Sequence, residues 1–436
     1  MKNLRNVFGG KGGGVNQYGM IIALVAIVII FEFWTGGLTL TPQNVINVFT
    51  QYSYILILAI GMVMVIVAGH IDLSVGSVAA FVGISVAQSM AVWHLPWPLA
   101  IVLGLVIGAL VGAWQGFWVA YVRVPAFIVT LAGQLIFRGG NQLIGNSTSL
   151  PVPGAYQFIG NGYLPDFGPN TGYSNPTLII GLIVIVVLII REIRARRKRV
   201  RMGAVLQPVW VSVVRVGVLI VVTLFATYEF ASSSAGTSIP DVAIILGVLV
   251  LIYGFVTRST VFGRHIYAVG GNSNAAVLSG VNSKRVNFLV MMNMSVLAAV
   301  AGMVYLGYSG ASGPQDGTGW ELDAIAAVFV GGAAIAGGVG TIVGSIIGGL
   351  VLAFLANGLA LVGIDTNQVV IIRGLVLLVA VAFDVYSKSQ GKPSITGFLT
   401  RNFRKKSGDD EGAPGGPDSV SEQPKSIEDQ PQVLLP

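Results

Sequence analysis

Cysteine is absent from this 436-residue chain, and histidine occurs only three times, as His70, His94 and His265. Without thiols the chain forms neither a disulfide nor a thiolate metal site, and three scattered histidines argue against a zinc centre. No paired carboxylates and no serine–histidine spacing recur within the apolar segments. We therefore expect no metal, no cofactor and no catalytic residue, and do not expect an enzyme.

Charge is scarce as well: charged residues make up 10% of the chain and apolar residues 54%, and the mean hydropathy is +0.79. These values are typical of a polytopic membrane protein whose main partner is the lipid bilayer. The excess of basic residues is spread between apolar runs, so we expect no nucleic-acid binding. Up to twelve apolar segments occur, at residues 19–34, 52–68, 74–93, 99–122, 127–144, 177–190, 205–227, 242–256, 288–308, 324–336, 342–362 and 369–385.

Several of these segments are too short to span a bilayer alone. The prediction is therefore an all-α membrane protein with about 10–12 transmembrane helices, some of them broken. Three regions are expected: a cytoplasmic N-terminal segment (1–18), a transmembrane domain (19–387) and a largely disordered cytoplasmic tail (388–436). The first apolar segment has no cleavage pattern behind it, which indicates an uncleaved anchor.

Lysine and arginine set the expected sidedness. If all twelve segments cross, the basic loop 191–204, the loop 258–287 and both termini fall on one side, and the other loops hold almost no basic residue. The positive-inside rule makes the basic side cytoplasmic.

Glycine is abundant, with 58 residues. Rows such as Gly104-LVI-Gly108-ALV-Gly112 and Gly344-SII-Gly348 permit close helix packing in lipid. The two rows also resemble each other, as do residues 71–83 and 322–332, and each half contains an Arg-Gly pair, at Arg138 and Arg373. Because the matched segments have opposite predicted orientations, we expect an inverted repeat, although convergence of two glycine-rich tracts is an alternative.

The stretch GHIDLSVG, residues 69–76, puts an aspartate directly after a charge-free apolar run. A carboxylate within a bilayer costs about 2.5–3.5 kcal/mol, so Asp72 is expected to face protein or a helix N-terminus. We interpret the stretch as a helix break in which Asp72 caps the following half-helix. Contact of Asp72 with substrate or with a coupling cation is the alternative.

Four strings resemble the permease subunits of bacterial ABC monosaccharide importers of the ribose/xylose type: GHIDLSVGSVAAF, VPAFIVTLAGQLIFRG, FGRHIYAVGGNSNAAVLSGVNSKRVN and ELDAIAAVFVGGAAIAGGVGTIVGSIIGGLV. The ribose permeases of this family are shorter. The stretch 151–215, which is additional relative to them, resembles the xylose and multiple-sugar branch. The resemblance implies a homodimer in the bacterial inner membrane that receives sugar from a periplasmic binding protein and is driven by ABC ATPase subunits. No phosphate-binding GxxxxGK[ST] loop occurs in this chain, so the ATPase is expected to be a separate subunit.

The loop 258–287 is the expected docking element for the ATPase. Ser273 or Asn274 is predicted to cap a short helix that Gly280 ends, and Ala276, Val277 and Val281 are predicted to form its apolar face. The alternative is an ordinary basic connecting loop. The residues assigned to coupling are Gly263, Arg264, Gly270, Gly271, Asn272, Ala275, Ala276, Ser279 and Gly280.

A neutral sugar needs polar and aromatic groups along its path. The predicted path residues are Asp72, Ser74, Trp114, Trp118, Gln134, Asn141, Asn293, Tyr305 and Asn357, although each is also suited to bonds between helices. We expect Arg138 and Arg373 either to reach the membrane interface or to pair with acidic residues of the outer side, such as Asp316 and Asp365. Two other functions remain open: an ion-coupled secondary transporter, and an ABC permease for another small solute such as an amino acid.

Overall fold

The computed structural model describes residues 14–169, 171–203, 208–232 and 238–389. Residues 1–13 and 390–436 lie outside this part, so most of the predicted terminal segments are not covered. The described helices are α1 (Gly14–Trp34), α2 (Pro42–Val67), α3 (Val75–Ala91), α4 (Trp97–Phe117), α5 (Ala126–Ile144), α6 (Asn175–Arg201), α7 (Val209–Ala231), α8 (Asp241–Ser259), α9 (Val261–Gly271), α10 (Ser273–Leu278), α11 (Ser283–Ser309), α12 (Trp320–Val330), α13 (Ile342–Leu361) and α14 (Thr366–Ser389).

Irregular and minor elements connect these helices. A π-helical turn, Trp118–Val122, extends α4, and single helical turns lie at Gly154–Tyr156 and Phe158–Asn161. Two short strands, β1 (Leu150–Pro151) and β2 (Ala311–Ser312), pair antiparallel, with Leu150 opposite Ser312. They join the long connection before α6 to the segment that leads into α12.

Seven helices in the described part of the chain are long and apolar enough to span a membrane: α2, α4 with its π turn, α6, α7, α8, α11 and α13. Shorter apolar helices lie at Gly19–Trp34, Val75–Ala91 and Thr366–Val379. The prediction of an all-α polytopic membrane protein is confirmed. One detail was wrong: residues 191–201 continue helix α6 instead of forming a loop.

Helix α11 occupies the centre of the bundle and packs against α2, α3 and α4. The predicted glycine row of α4 packs closely on α11. Gly104, Gly108, Gly112 and Gly116 face Met303, Ala299, Met292 and Phe288 of α11 in turn, which makes the two helices antiparallel. A β-carbon on Gly112 would lie 2.6 Å from the Cα of Met292. Close helix packing through glycine is therefore confirmed.

The two ends of the bundle differ in charge. One end, called here the basic face, holds Arg123, residues 191–201, the hairpin of α9 and α10, and Lys284 with Arg285. The other end holds the connections 145–169, 171–174, 310–319 and 362–365, which contain no lysine or arginine. The bundle is thus strongly asymmetric in charge along its axis.

The packing also has an approximate two-fold pattern. Helix α4 packs on α11 as α13 packs on α2, and α3 contacts α5 as α12 contacts α14. The antiparallel contact of α2 with α11, through Gly61 and Met294, relates the two halves in opposite directions. This arrangement supports the inverted repeat. The proposed residue match was out of register, because α3 begins at Val75 whereas α12 already begins at Trp320.

Candidate functional site

The first helix break lies between α2 and α3. Gly69 has a φ of +87°, which turns the chain after α2. Asp72 is fully buried, and its Oδ1 accepts hydrogen bonds from the backbone N–H of Ser74, at 2.8 Å, and from the Ser74 hydroxyl, at 2.7 Å. The predicted capping role of Asp72 was wrong, because Ser74 is the N-cap residue of α3. Asp72 instead accepts a hydrogen bond from Ser74, two residues further on, and so closes a local turn before the helix, as short carboxylates readily do.

A polar chain extends from this break into the bundle. Gln115 of α4 donates through Nε2 to the Ser74 hydroxyl at 2.7 Å, and the Ser295 hydroxyl donates to Gln115 Oε1 at 3.4 Å. Ser295 lies near the middle of the 27-residue helix α11. The break therefore sits deep between the two ends of the bundle. A glutamine within a glycine row was the only sequence signal that pointed to Gln115.

The second break precedes α12. Gly317 and Gly319 have φ values of +76° and +80°, and the helix begins at Trp320. The backbone of Gly317 lies against that of Gly76, in the first turn of α3. The N-terminal ends of α3 and α12 therefore meet inside the bundle, and both present partial positive charge there.

Glu321 in the first turn of α12 is the acidic residue at this meeting point. It is buried, and its Oε1 accepts a hydrogen bond of 2.9 Å from Gln134 Nε2 of α5. Its side chain also lies close to Gly76. The predicted path residue Gln134 thus joins the site, whereas Glu321 was not singled out. A carboxylate in the first turn of a short apolar helix is the signal that indicates it.

Helix α5 also holds the segment that leads into α12. Arg138 donates to the Thr318 hydroxyl, and Asn141 Nδ2 donates to the carbonyl oxygen of Gly313 at 3.2 Å. Arg373 of α14 forms an ion pair with Asp323 of α12, with N–O distances of 3.0 and 3.1 Å. Arg373 thus pairs with an acidic residue of this end, as expected, but neither arginine pairs with the named candidates Asp316 and Asp365. Asp316 instead accepts from the N–H of Gly313, and Asp365 from that of Asn367.

Of the other predicted path residues, Tyr305 lies beside the second break, and the rest lie away from both breaks. The Tyr253 hydroxyl donates to Asn293 Oδ1 at 2.6 Å, and Asn357 exchanges two 2.9 Å bonds with Asn44. Tyr305 packs on Trp320, with ring centroids 4.5 Å apart. Trp114 and Trp118 lie on the outer surface of α4 and its π turn. The structure thus brings Asp72, Ser74, Gln134, Asn141 and Tyr305 to the two breaks, while the path role of all nine residues stays a prediction.

The predicted coupling loop forms a helical hairpin of α9 and α10 on the basic face. Asn272 is the N-cap residue of α10, and its side chain accepts from the N–H of Ala275 at 2.9 Å. The expected cap at Ser273 or Asn274 was therefore wrong by one or two residues. Gly280 has a φ of +85°, which suits the predicted stop. Ala276 is buried, so the exposed apolar tip consists of Val277 and Leu278, exposed by 50% and 89%.

The remaining loop residues occupy distinct positions on this hairpin. Gly263 lies against the backbone of α8, while Arg264, Ala275 and Ser279 point away from the bundle core. Gly270 contacts the carbonyl of Val67, the last residue of α2, and the N–H of Gly338 donates to that same carbonyl at 2.8 Å. Gly271 lies near Gly338, but a β-carbon added to Gly271 would meet no atom within 4 Å. The hairpin therefore contacts the end of α2 five residues before Asp72.

These features define a class of protein: a multi-pass membrane protein with paired half-helices and an amphipathic hairpin at one end. Residues 44–381 match the family described as "Branched-chain amino acid transport system / permease component". The chain belongs to this family of transport permeases.

Relatives with known roles agree with that assignment. The chain is 37% identical to the xylose transport system permease protein XylH of Haemophilus influenzae, over 87% of this chain and 99% of the relative. It is 38% identical to XylH of Escherichia coli, over 87% and 94% of the two chains. It is 33% identical to the ribose import permease protein RbsC of Escherichia coli, over 85% and 94%. No solved structure matches the chain. The predicted resemblance to sugar permeases of the xylose/ribose type is confirmed.

Proposed function

We propose that this chain is the transmembrane subunit of an ATP-driven importer for a xylose-like monosaccharide. Separate ABC ATPase subunits supply the energy, and a periplasmic sugar-binding protein delivers the sugar. Full-length similarity to xylose and ribose permeases supports this substrate class over an amino acid. An ion-coupled secondary transporter is not favoured, since the family is one of ABC-type permeases.

The single observation that carries the proposal is the contact between hairpin and helix break. Gly270 of α9 touches the carbonyl of Val67, and the chain then continues within a few residues into the Asp72 break. A force applied to the hairpin by a docked ATPase reaches the half-helix α3 through backbone atoms alone. Such a contact suits a permease that is driven from outside its own chain.

The basic face is the cytoplasmic side in this proposal. Lysine and arginine concentrate there, in the end of α6, the α9–α10 hairpin and the start of α11, as the positive-inside rule requires. Both termini then lie in the cytoplasm of a bacterium whose inner membrane holds the complex. The ATPase is therefore placed on the tip formed by Val277 and Leu278.

The sugar path is proposed to follow α5 and α12. Gln134 and Arg138 are half-buried on α5, and the neighbouring Thr318 and Leu322 are exposed at the edge of the protomer. Leaving a partly exposed arginine of a membrane helix in contact with lipid costs free energy. This face is therefore suited to contact water and a second copy of the chain, which supports a homodimer with the path between its protomers.

The test is transport by the reconstituted complex. The tagged permease is purified with whatever ATPase it retains, placed in liposomes, and supplied with ATP and the binding protein, and uptake of radiolabelled xylose is measured. Uptake is expected only when ATP and the binding protein are both present. Uptake by the permease alone, driven by a proton or sodium gradient, would replace the proposal with the secondary-transporter function. Competition with ribose and with a branched-chain amino acid then tests the substrate class.

A further inference from the structure

A cavity of about 580 Å³ opens on the basic face, between the α9–α10 hairpin, the start of α11, the chain around His70, and the junction of α4 with α5. Its polar side is formed by Arg123, Lys284, Ser273 and Asn287, and its apolar side includes Val119 and Phe127. The cavity opens at the start of the first helix break, through Gly69, His70 and Ile71, and it borders Val277 of the proposed ATPase-docking tip. Its cationic residues Arg123 and Lys284 have no role in the proposed sugar path or in that tip.

The electrostatics of this cavity favour an anion. Its lining includes two permanent cations and no aspartate or glutamate, and the stretches 119–127 and 258–287 contain no acidic residue. The long helix α11 begins at Ser283 on the cavity wall, so its positive end adds to the field. Burial lowers the pKa of His70, only partly offset by the Asn287 side chain, so His70 is neutral near pH 7. Arg123 and Lys284 therefore supply the charge.

Aromatic residues indicate the depth of the cavity mouth. Trp118 and Tyr121, on the π turn that also contributes Val119, are 38% and 48% exposed on the outer surface. Exposed tryptophan and tyrosine at the end of a membrane helix lie at the level of lipid headgroups. Phe127, which lines the cavity, is 55% exposed and continues this apolar surface. A ligand in the cavity thus has cationic groups on one side and a lipid-facing wall on the other.

We propose that this cavity binds the phosphate group of an anionic phospholipid, with the headgroup between Arg123 and Lys284 and an acyl chain along Val119 and Phe127. Basic pockets between helices at this level of a membrane are suited to anionic headgroups. The site would also attract free inorganic phosphate, but only a lipid uses the apolar wall. The inference needs the chain in a membrane and is independent of which solute is transported.

The experiment is native mass spectrometry of the full-length permease, delipidated in detergent and titrated with phosphatidylglycerol or with phosphatidylcholine. Phosphatidylglycerol is expected to bind more tightly. The double variant Arg123→Gln/Lys284→Gln is expected to weaken phosphatidylglycerol binding roughly ten- to thirtyfold, since each charge contributes roughly fivefold. The matched control Arg264→Gln/Arg285→Gln removes the same charge from the same face outside the cavity lining, and is expected to bind as the wild type does.

Two further experiments distinguish lipid binding in the cavity from the other possible outcomes. Lys284→Gln alone, at an exposed position, reports on the site if the double variant does not fold. Brominated phosphatidylglycerol in nanodiscs is expected to quench tryptophan fluorescence less in Trp118→Phe than in the wild type. Equal binding of the two lipids, or equal loss in the control variant, would overturn the proposal. Displacement of the lipid by excess inorganic phosphate would assign the cavity to the free ion instead.

Discussion

Gly76 and Gly317 lie backbone to backbone where the two half-helices meet. A β-carbon on Gly76 would be 2.2 Å from the carbonyl oxygen of Gly317, and one on Gly317 would be 2.1 Å from the carbonyl oxygen of Gly76. Both neighbours are main-chain atoms, which cannot rotate away as a side chain does. Side chains larger than hydrogen would therefore separate the two breaks and the carboxylates beside them.

Replacing Gly76 tests this contact. Gly76→Ala is expected to destabilise the purified permease by about 1–3 kcal/mol, the usual range for overpacking, and to reduce ATP-driven sugar uptake. The measurements are thermal unfolding in detergent and uptake by liposomes. Gly83→Ala is the control in the same helix, because its β-carbon would lie 3.5 Å from the carbonyl oxygen of Gly302, an ordinary contact. Equal unfolding temperatures for the two variants would show that the close contact is misplaced.

Asn357 was predicted as a path residue, but its amide exchanges hydrogen bonds with Asn44 near the end of the bundle opposite the basic face. If the pair is structural, Asn44→Ala and Asn357→Ala each lower stability by about 1 kcal/mol, and the double variant loses less than their sum. The free energies of unfolding check this. The KM for sugar uptake is expected to stay unchanged, whereas a raised KM in Asn357→Ala alone would return this residue to the path.

Structural features that depend on residues close together in the sequence were predictable. Contacts between residues far apart in the sequence were not. The row from Gly104 to Gly112 predicted close packing because small residues at a spacing of four define one helix face by themselves. The partners of Arg373 and Gln134 depend on which helices become adjacent, and several acidic residues were equally plausible. Capping shows the same limit, since Asn272, Ser273 and Asn274 all suit an N-cap, and only the observed bond to Ala275 decides between them.

The contact of Gly270 with Val67 allows a specific prediction about the coupling of ATP hydrolysis to sugar uptake. A β-carbon on Gly270 would lie 1.6 Å from the Val67 carbonyl oxygen, whereas one on the adjacent Gly271 would meet nothing within 4 Å. Gly270→Ala is expected to push the hairpin off α2 and to reduce sugar uptake per ATP hydrolysed by severalfold. Gly271→Ala should leave that ratio unchanged. The ratio of uptake to phosphate release in liposomes is the readout, and equal ratios in both variants would contradict a coupling role for this contact.

The exposed tip of the hairpin provides the last test, because it separates ATPase docking from folding. Leu278 is 89% exposed and packs against nothing that its loss would destabilise, so Leu278→Ala should leave the unfolding temperature unchanged. If the ATPase covers this side chain, its removal weakens docking by about 1.5–3 kcal/mol, or roughly tenfold or more in Kd.

Truncation of a second exposed leucine, outside the hairpin, provides the control for Leu278→Ala. Leu251 of α8 is 75% exposed on the outside of the bundle, in the helix that leads into the hairpin. Leu251→Ala is therefore expected to retain the ATPase fully during affinity purification, while Leu278→Ala loses most of it. Because both variants remove the same exposed side chain, a difference in retained ATPase reports the docking surface itself. Equal retention of the ATPase by both variants would show that the tip of α10 is not part of the interface. The contact of Gly270 would then have no docked ATPase to act on it.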